Sequence, residues 1–244
     1  MEIHGFETVD SLPCLYHDEA DLLVLSDLHL GLEGTMTSEG NYVPKHQLKR
    51  IKNDIERAKS ISNASRILIN GDLKNEFKTS YSESKEVEKL AEFLKKTFEE
   101  VIIVKGNHDT FIESSFDRFN IKLKEFYKES EILFIHGDRK LENFEVGEFE
   151  TLVIGHEHPA LGLKDDIGVK EKIDCFLYGK TKKDEKIIVL PAFSSISRGT
   201  NINETSEREL LSPILKQRVE KDRLKALGVS REAGLFEFPE VGRI

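Results

Sequence analysis

Asp27-Leu28-His29, Gly71-Asp72, Gly106-Asn107-His108-Asp109, His136-Gly137 and Gly155-His156-Glu157-His158 gather carboxylate, amide and imidazole groups into five short polar signatures. Hard divalent cations favour carboxylate oxygen, whereas Mn²⁺, Fe²⁺ and Zn²⁺ also accept imidazole nitrogen, so a mixed Asp, Asn and His set suits the second group. Two cations about 3.5–4 Å apart need a shared ligand, and a carboxylate has two oxygens to share. We assign Asp72 to that bridge. Each signature alone is weak, since Gly-Asp after a strand is ordinarily only a turn. The inference rests on all five together.

The elements that must position these groups are apolar runs at 22–25, 67–69, 101–104, 132–135 and 152–154, one before each signature. They are too short for helices and read as buried strands. Open α/β sheets place their sites in the crevice beyond the carboxyl ends of the strands, so the five signatures converge there. Between them, residues 44–60 carry Leu48, Ile51, Ile55 and Ala58 at helical spacing, with Pro44 suited to the first turn. Residues 84–98 repeat the pattern with Val87, Leu90, Ala91, Leu94 and Phe98. Such alternation argues for a largely parallel sheet covered by helices.

Farther along, 117–127 reads as a short helix and a strand, and 175–178 with 187–190 as an antiparallel hairpin. Ser212-Pro213 opens a helix expected to reach about Leu227, with Gly228 just past its end. Residues 235–238 alternate as an edge strand. We expect one domain over 1–200 and a helix-and-strand appendage over 201–244, packed on that domain.

The 244 residues suffice for a sizeable core, and a formal net charge of −9 disfavours a broad duplex-binding face. Cys14 and Cys175 are too few for a disulfide framework and read as reduced, structural residues. No basic segment leads into an apolar stretch near the start, and nowhere do 18 apolar residues run together, so a cytoplasmic protein is expected. Abundant Lys and Glu without Trp is the bias of heat-adapted proteins.

In residues and order, positions 27–158 resemble the calcineurin-like metallophosphoesterase superfamily, whose pattern is Asp-x-His, Gly-Asp, Gly-Asn-His-Asp/Glu, His and Gly-His-x-His. The resemblance implies a four-layer α-β-β-α sandwich of two mixed sheets flanked by helices. It implies one metal on Asp27, His29, Asp72 and His158, and a second on Asp72, Asn107, His136 and His156. Mn²⁺ is expected, with Fe²⁺, Zn²⁺, Ni²⁺ and Mg²⁺ as alternatives. His108 would be the catalytic histidine, donating a proton to the leaving oxygen or to a non-bridging one.

Many members read Gly-Asp-x-x-Asp, the second carboxylate orienting that histidine, whereas here the position is Asn75. An amide accepts a hydrogen bond but gives no charge stabilisation to an imidazolium, and Asp109 or Glu76 are alternatives for the role. Residues 26–31, 71–77 and 190–194 resemble the archaeal and bacterial branch that includes ligase-associated DNA-damage-response phosphoesterases. That implies phosphodiester hydrolysis and DNA-repair partners, without specifying the substrate; were it nucleic acid, the acidic charge favours single-stranded or flapped strands.

Lys45, His46 and Gln47 either overhang the site and meet substrate or form an exposed first helical turn. Arg198, in the loop 194–201, either clamps a phosphate through two parallel hydrogen bonds or is an exposed arginine. Glu157, between two ligands, is expected to point away. The competing readings are a phosphomonoesterase acting on nucleotides or phosphoproteins and a scaffold subunit without catalysis. The full set of seven ligands plus His108 argues against the scaffold.

Overall fold

Strict alternation of buried side chains along short apolar runs decides the architecture. The computed structural model describes residues 1–41, 44–77, 81–164, 168, 170–197 and 199–244. Its first half contains β1 (Glu2–Ile3), β2 (Phe6–Thr8), β3 (Leu15–His17), β4 (Leu22–Leu25), α1 (Leu32–Ser38), α2 (Gln47–Ser62), β5 (Arg66–Asn70), α3 (Tyr81–Thr97), β6 (Glu100–Val104), α4 (Glu113–Asp117) and β7 (Leu123–Lys124). These strands form one sheet in sequence order, antiparallel from β1 to β4 and parallel from β4 to β7.

A second sheet follows from β8 (Tyr127–Glu129), β9 (Ile132–Phe134), β10 (Thr151–Ile154), β11 (Pro159–Lys164), β12 (Lys170–Lys180), β13 (Lys186–Val189) and β14 (Thr200–Asn201), and then, after α5 (Pro213–Arg218), β15 (Lys225–Ser230) and β16 (Gly234–Glu240). Its order is β14-β11-β12-β13-β10-β9-β8, with β15 paired to β12 and β16 to β15. Both sheets are mixed.

In β4 and β5, Leu23, Leu25, Ile67 and Ile69 face α2 and α3, where Ile51, Ile55, Val87, Leu90 and Leu94 meet them. The alternate residues Leu22, Val24 and Leu68 face the other way, against Phe134, Val153, Phe176 and Ile188 of the second sheet. On that sheet's outer face, Leu133, Leu152, Ile187 and Leu177 pack on Ile214 and Leu215 of α5. The layers are therefore helix, sheet, sheet and a thin outer layer. Each buried leucine or isoleucine contributes about 1.5–3 kcal/mol, and truncating one such as Leu68 to alanine costs about 2–5 kcal/mol.

Three expectations need correction. The C-terminal helix ends at Arg218, because Val219 turns to φ −125°, ψ 149°. Residues 225–230 instead pair with both β12 and β16, and Gly228 lies within β15, where a Cβ would stand 2.9 Å from Phe238. The short helix expected after 117 lies earlier, at Glu113–Asp117, and α2 starts at Gln47 rather than in the turn of Pro44. The hairpin is present, with β12 longer than expected. Cys14 and Cys175 are free and buried. Among the described residues, no helix is long and apolar enough to cross a membrane.

Candidate metal centre

The turns that leave the strands are left-handed at the residues that matter. Asp27 (φ 59°), His29 (φ 46°), Asp72 (φ 50°), His156 (φ 65°) and His158 (φ 45°) all occupy a region that costs a non-glycine residue about 1–2 kcal/mol. Hydrogen bonds between neighbouring loops hold them there: Asp27 N–H donates to Gly71 O at 3.0 Å, and His29 N–H to Asp72 O at 2.9 Å. Strain of this kind clusters at active sites, and five of the positions that carry it here stand together. Gly71 and Gly106 are glycines for a related reason. A Cβ on Gly71 would overlap the His136 ring, and one on Gly106 the Asp72 carboxylate.

In both two-ligand turns the middle residue points away. Leu28 is buried in the helix-side core. The carboxylate of Glu157 accepts the N–H groups of Leu211 and Ser212, each at 2.8 Å, and so anchors the segment that starts α5. As the sequence suggested, it does not face the site.

What converges are two groups. Ligand atoms of Asp27, His29, Asp72 and His158 lie within 4.8 Å of one another, as do those of Asp72, His136 and His156. Asp72 belongs to both. The Nε2 atoms of His29 and His158 are 3.1 Å apart, His158 Nε2 is 2.9 Å from Asp27 Oδ1, and His136 Nε2 is 3.2 Å from Asp72 Oδ2. The first sheet supplies Asp27, His29 and Asp72, the second His136, His156 and His158, so the centre spans the gap between the sheets.

Partners behind the ligands fix their orientation. His136 Nδ1–H donates to Asn70 O at 2.9 Å, which aims Nε2 at Asp72. His158 Nδ1 lies 3.2 Å from Ser197 Oγ. Asn70 Nδ2 also donates to Ile135 O at 2.9 Å and Val153 O at 3.2 Å, stapling the two sheets just behind the centre.

Electrostatics sort the imidazoles. Burial, together with the neighbouring His158, lowers His29 to about 4. Burial and His136 lower His156 to about 4. For His136 burial also acts downward, but the Asp72 carboxylate outweighs it and raises the ring to about 10. Asp72 and Asp27 are pushed up by burial and yet end below the usual carboxylate range, held there mainly by His136 and His158 respectively. The ionised Asp27 and Asp72 carboxylates and the neutral His29 and His156 rings are in the donor state a divalent cation requires, and His136 would release its proton on binding one. Asn107 Oδ1 and His29 Nδ1 are buried without a hydrogen-bond partner, a cost a bound cation would remove at the amide oxygen. The residues present fit metal ions.

His108 sits beside the centre, its Nε2 3.9 Å from Asp72 Oδ2 and its N–H donating to Asp72 Oδ1 at 3.0 Å. Its Nδ1 is hydrogen-bonded to the backbone carbonyl of Asn75, while the Asn75 side chain turns away and donates to Thr35 Oγ1 at 3.2 Å. An amide side chain orienting His108 is therefore not what the fold provides; the main chain does it. Neither alternative takes the role. Asp109 accepts from Leu73 N at 2.8 Å and Gly106 N at 2.9 Å, its carboxyl raised to about 7 by burial and by Asp72. Glu76 accepts from Thr35 at 2.6 Å.

His46 is exposed at the N-terminus of α2, its backbone N–H engaged by Glu33 Oε1 at 2.8 Å and its carbonyl by Arg50 N–H at 2.9 Å. Its neighbour Gln47 points inward, donating to His29 O at 2.8 Å and Ser194 Oγ at 3.3 Å. Arg198 lies outside the described residues. Sequence reasoning missed Asn70, a polar residue closing an apolar run, and Phe77, whose ring stacks on His108 at 4.1 Å and 29°.

The family model for calcineurin-like phosphoesterases matches residues 20–226. No curated protein matches the chain. Among solved structures, Pseudomonas putida nuclease MPE superposes with a TM-score of 0.66 at 16% identity, covering 98% of each chain. A conserved uncharacterized protein of Streptococcus pneumoniae TIGR4, described as a predicted phosphoesterase, gives 0.34 at 14% identity, covering 89% of this chain and 97% of the other.

Proposed function

We propose, since this chain belongs to the calcineurin-like phosphoesterase family and is a metal-dependent phosphoesterase, that it is a two-metal phosphodiesterase acting on nucleotides or nucleic acid. The observation that carries the reading is the pair of ligand groups sharing Asp72 with His108 at their edge. The donor set of imidazole nitrogen, carboxylate oxygen and the Asn107 amide oxygen suits borderline cations that take both nitrogen and oxygen, Mn²⁺ among them. When bound, two such cations supply charge neutralisation for the phosphoryl oxygens and a water acidic enough to attack phosphorus near neutral pH.

The chain's own residues do the rest. Asp27, His29, Asp72 and His158 hold one cation, and Asp72, Asn107, His136 and His156 the other. Asn75 O holds His108 by Nδ1, which leaves Nε2 turned toward the centre to give a proton to the leaving oxygen. Among the described residues, Asp27 and Asp72 pair only with histidines, and the Lys74 ammonium is bonded to the Glu76 carbonyl.

Turnover of bis(p-nitrophenyl) phosphate and p-nitrophenyl phosphate with Mn²⁺, Fe²⁺, Zn²⁺, Ni²⁺ or Mg²⁺ tests this. Faster diester turnover with Mn²⁺ is expected. Hydrolysis of neither substrate with any metal would overturn it.

A further inference from the structure

Fifteen phenylalanines are present in the chain, and among the described residues two are exposed: Phe77 (54%) and Phe111 (73%). Both flank His108. Phe77 stacks one face on the His108 ring, with centroids 4.1 Å apart. Phe111 comes two residues after the Gly106–Asp109 signature, and Thr110 Oγ1 donates to the Phe77 carbonyl, tying the two segments together. Exposing a phenyl ring forgoes the favourable burial of its apolar surface.

Phe111 also sits at φ 60°, a strained conformation for a bulky residue, while the next residue, Ile112, is buried at 3% exposure. The backbone thus holds this ring exposed while the next side chain is buried.

Resting on the phosphodiesterase reading above, we infer that Phe77 and Phe111 form a stacking platform for an unpaired nucleobase adjoining the scissile phosphoester. A phenyl ring offers a flat apolar face and no hydrogen-bonding group, so it accepts any planar base without reading its identity. A base within an intact duplex is stacked on both faces and does not present one. The platform therefore selects unpaired nucleotides without selecting sequence, and a phosphorylated serine or threonine gains nothing from it.

The test compares kcat/KM for an oligothymidylate with that for an oligomer of abasic tetrahydrofuran residues of equal length and charge. Wild-type protein is expected to favour the base-bearing strand by about 5- to 150-fold, the range that base–aromatic stacking brings. Phe111→Ala and Phe77→Leu should each collapse that ratio, whereas Phe77→Trp should keep it. Any effect of Phe77 on His108 alone slows both substrates equally and cancels. Equal cleavage of the two strands by wild type, or a ratio untouched by Phe111→Ala and Phe77→Leu, overturns the platform. Turnover of bis(p-nitrophenyl) phosphate with neither strand cleaved overturns the platform and leaves the phosphodiesterase reading standing. Failure on all three substrates removes both.

Discussion

Asp72 is the residue on which the site turns, because one oxygen pair serves both ligand groups while His108 leans on it from the side. His108→Ala should lower kcat by about 10²–10⁴-fold with metal content unchanged, the size of a lost general acid. Asn75→Ala should cost far less than tenfold in kcat, because the carbonyl that meets His108 survives the substitution. The ligands were legible in the sequence because polar side chains directly after apolar runs have few other reasons to be there. Asn70 and Phe77 were not, since one works through its carbonyl and an inter-sheet bond, and the other through a ring contact that no spacing encodes.

The titration of these residues gives the metal-free protein a pH optimum. His136 is raised to about 10, so its contribution is full below the ordinary 6.5 and is lost as pH climbs toward 10. His29 and His156 are lowered to about 4, so the fold disfavours their protons and loses stability as pH falls from 6.5. Chelator-treated protein should therefore show its highest Tm near pH 6–7. A Tm rising steadily from pH 6.5 to 10 would contradict this.

Elements differ in how openly they declare themselves. The runs before the signatures and the faces of α2 and α3 were readable because one periodicity dominated each. Residues 225–230 were not, because Leu224, Ala226, Leu227 and Val229 fit either a helix or a strand, and the free edge of β12 decided between them. The start of α5 depends on Glu157 rather than on the Ser212 hydroxyl, which bonds Gly137 O at 2.8 Å. Glu157→Ala leaves the Leu211 and Ser212 donors unpaired and should lower unfolding stability by about 1–3 kcal/mol, measurable by urea denaturation.

At the scale of the whole molecule, the metal centre joins two sheets that each carry only part of it. Asp27, His29, Asp72 and Asn107 come from the first, His136, His156 and His158 from the second, and the apolar layer between them positions both. The layering was legible through the family resemblance. The pairing of β15 and β16 onto β12 had no such signal, because strands distant in sequence leave no local trace. The most direct test of the shared centre is the metal-to-protein ratio of Mn²⁺-loaded, desalted samples by elemental analysis. The account predicts two ions per chain in wild type, one in His158→Ala and none in Asp72→Ala. One ion in wild type, or equal losses in the two variants, would contradict it.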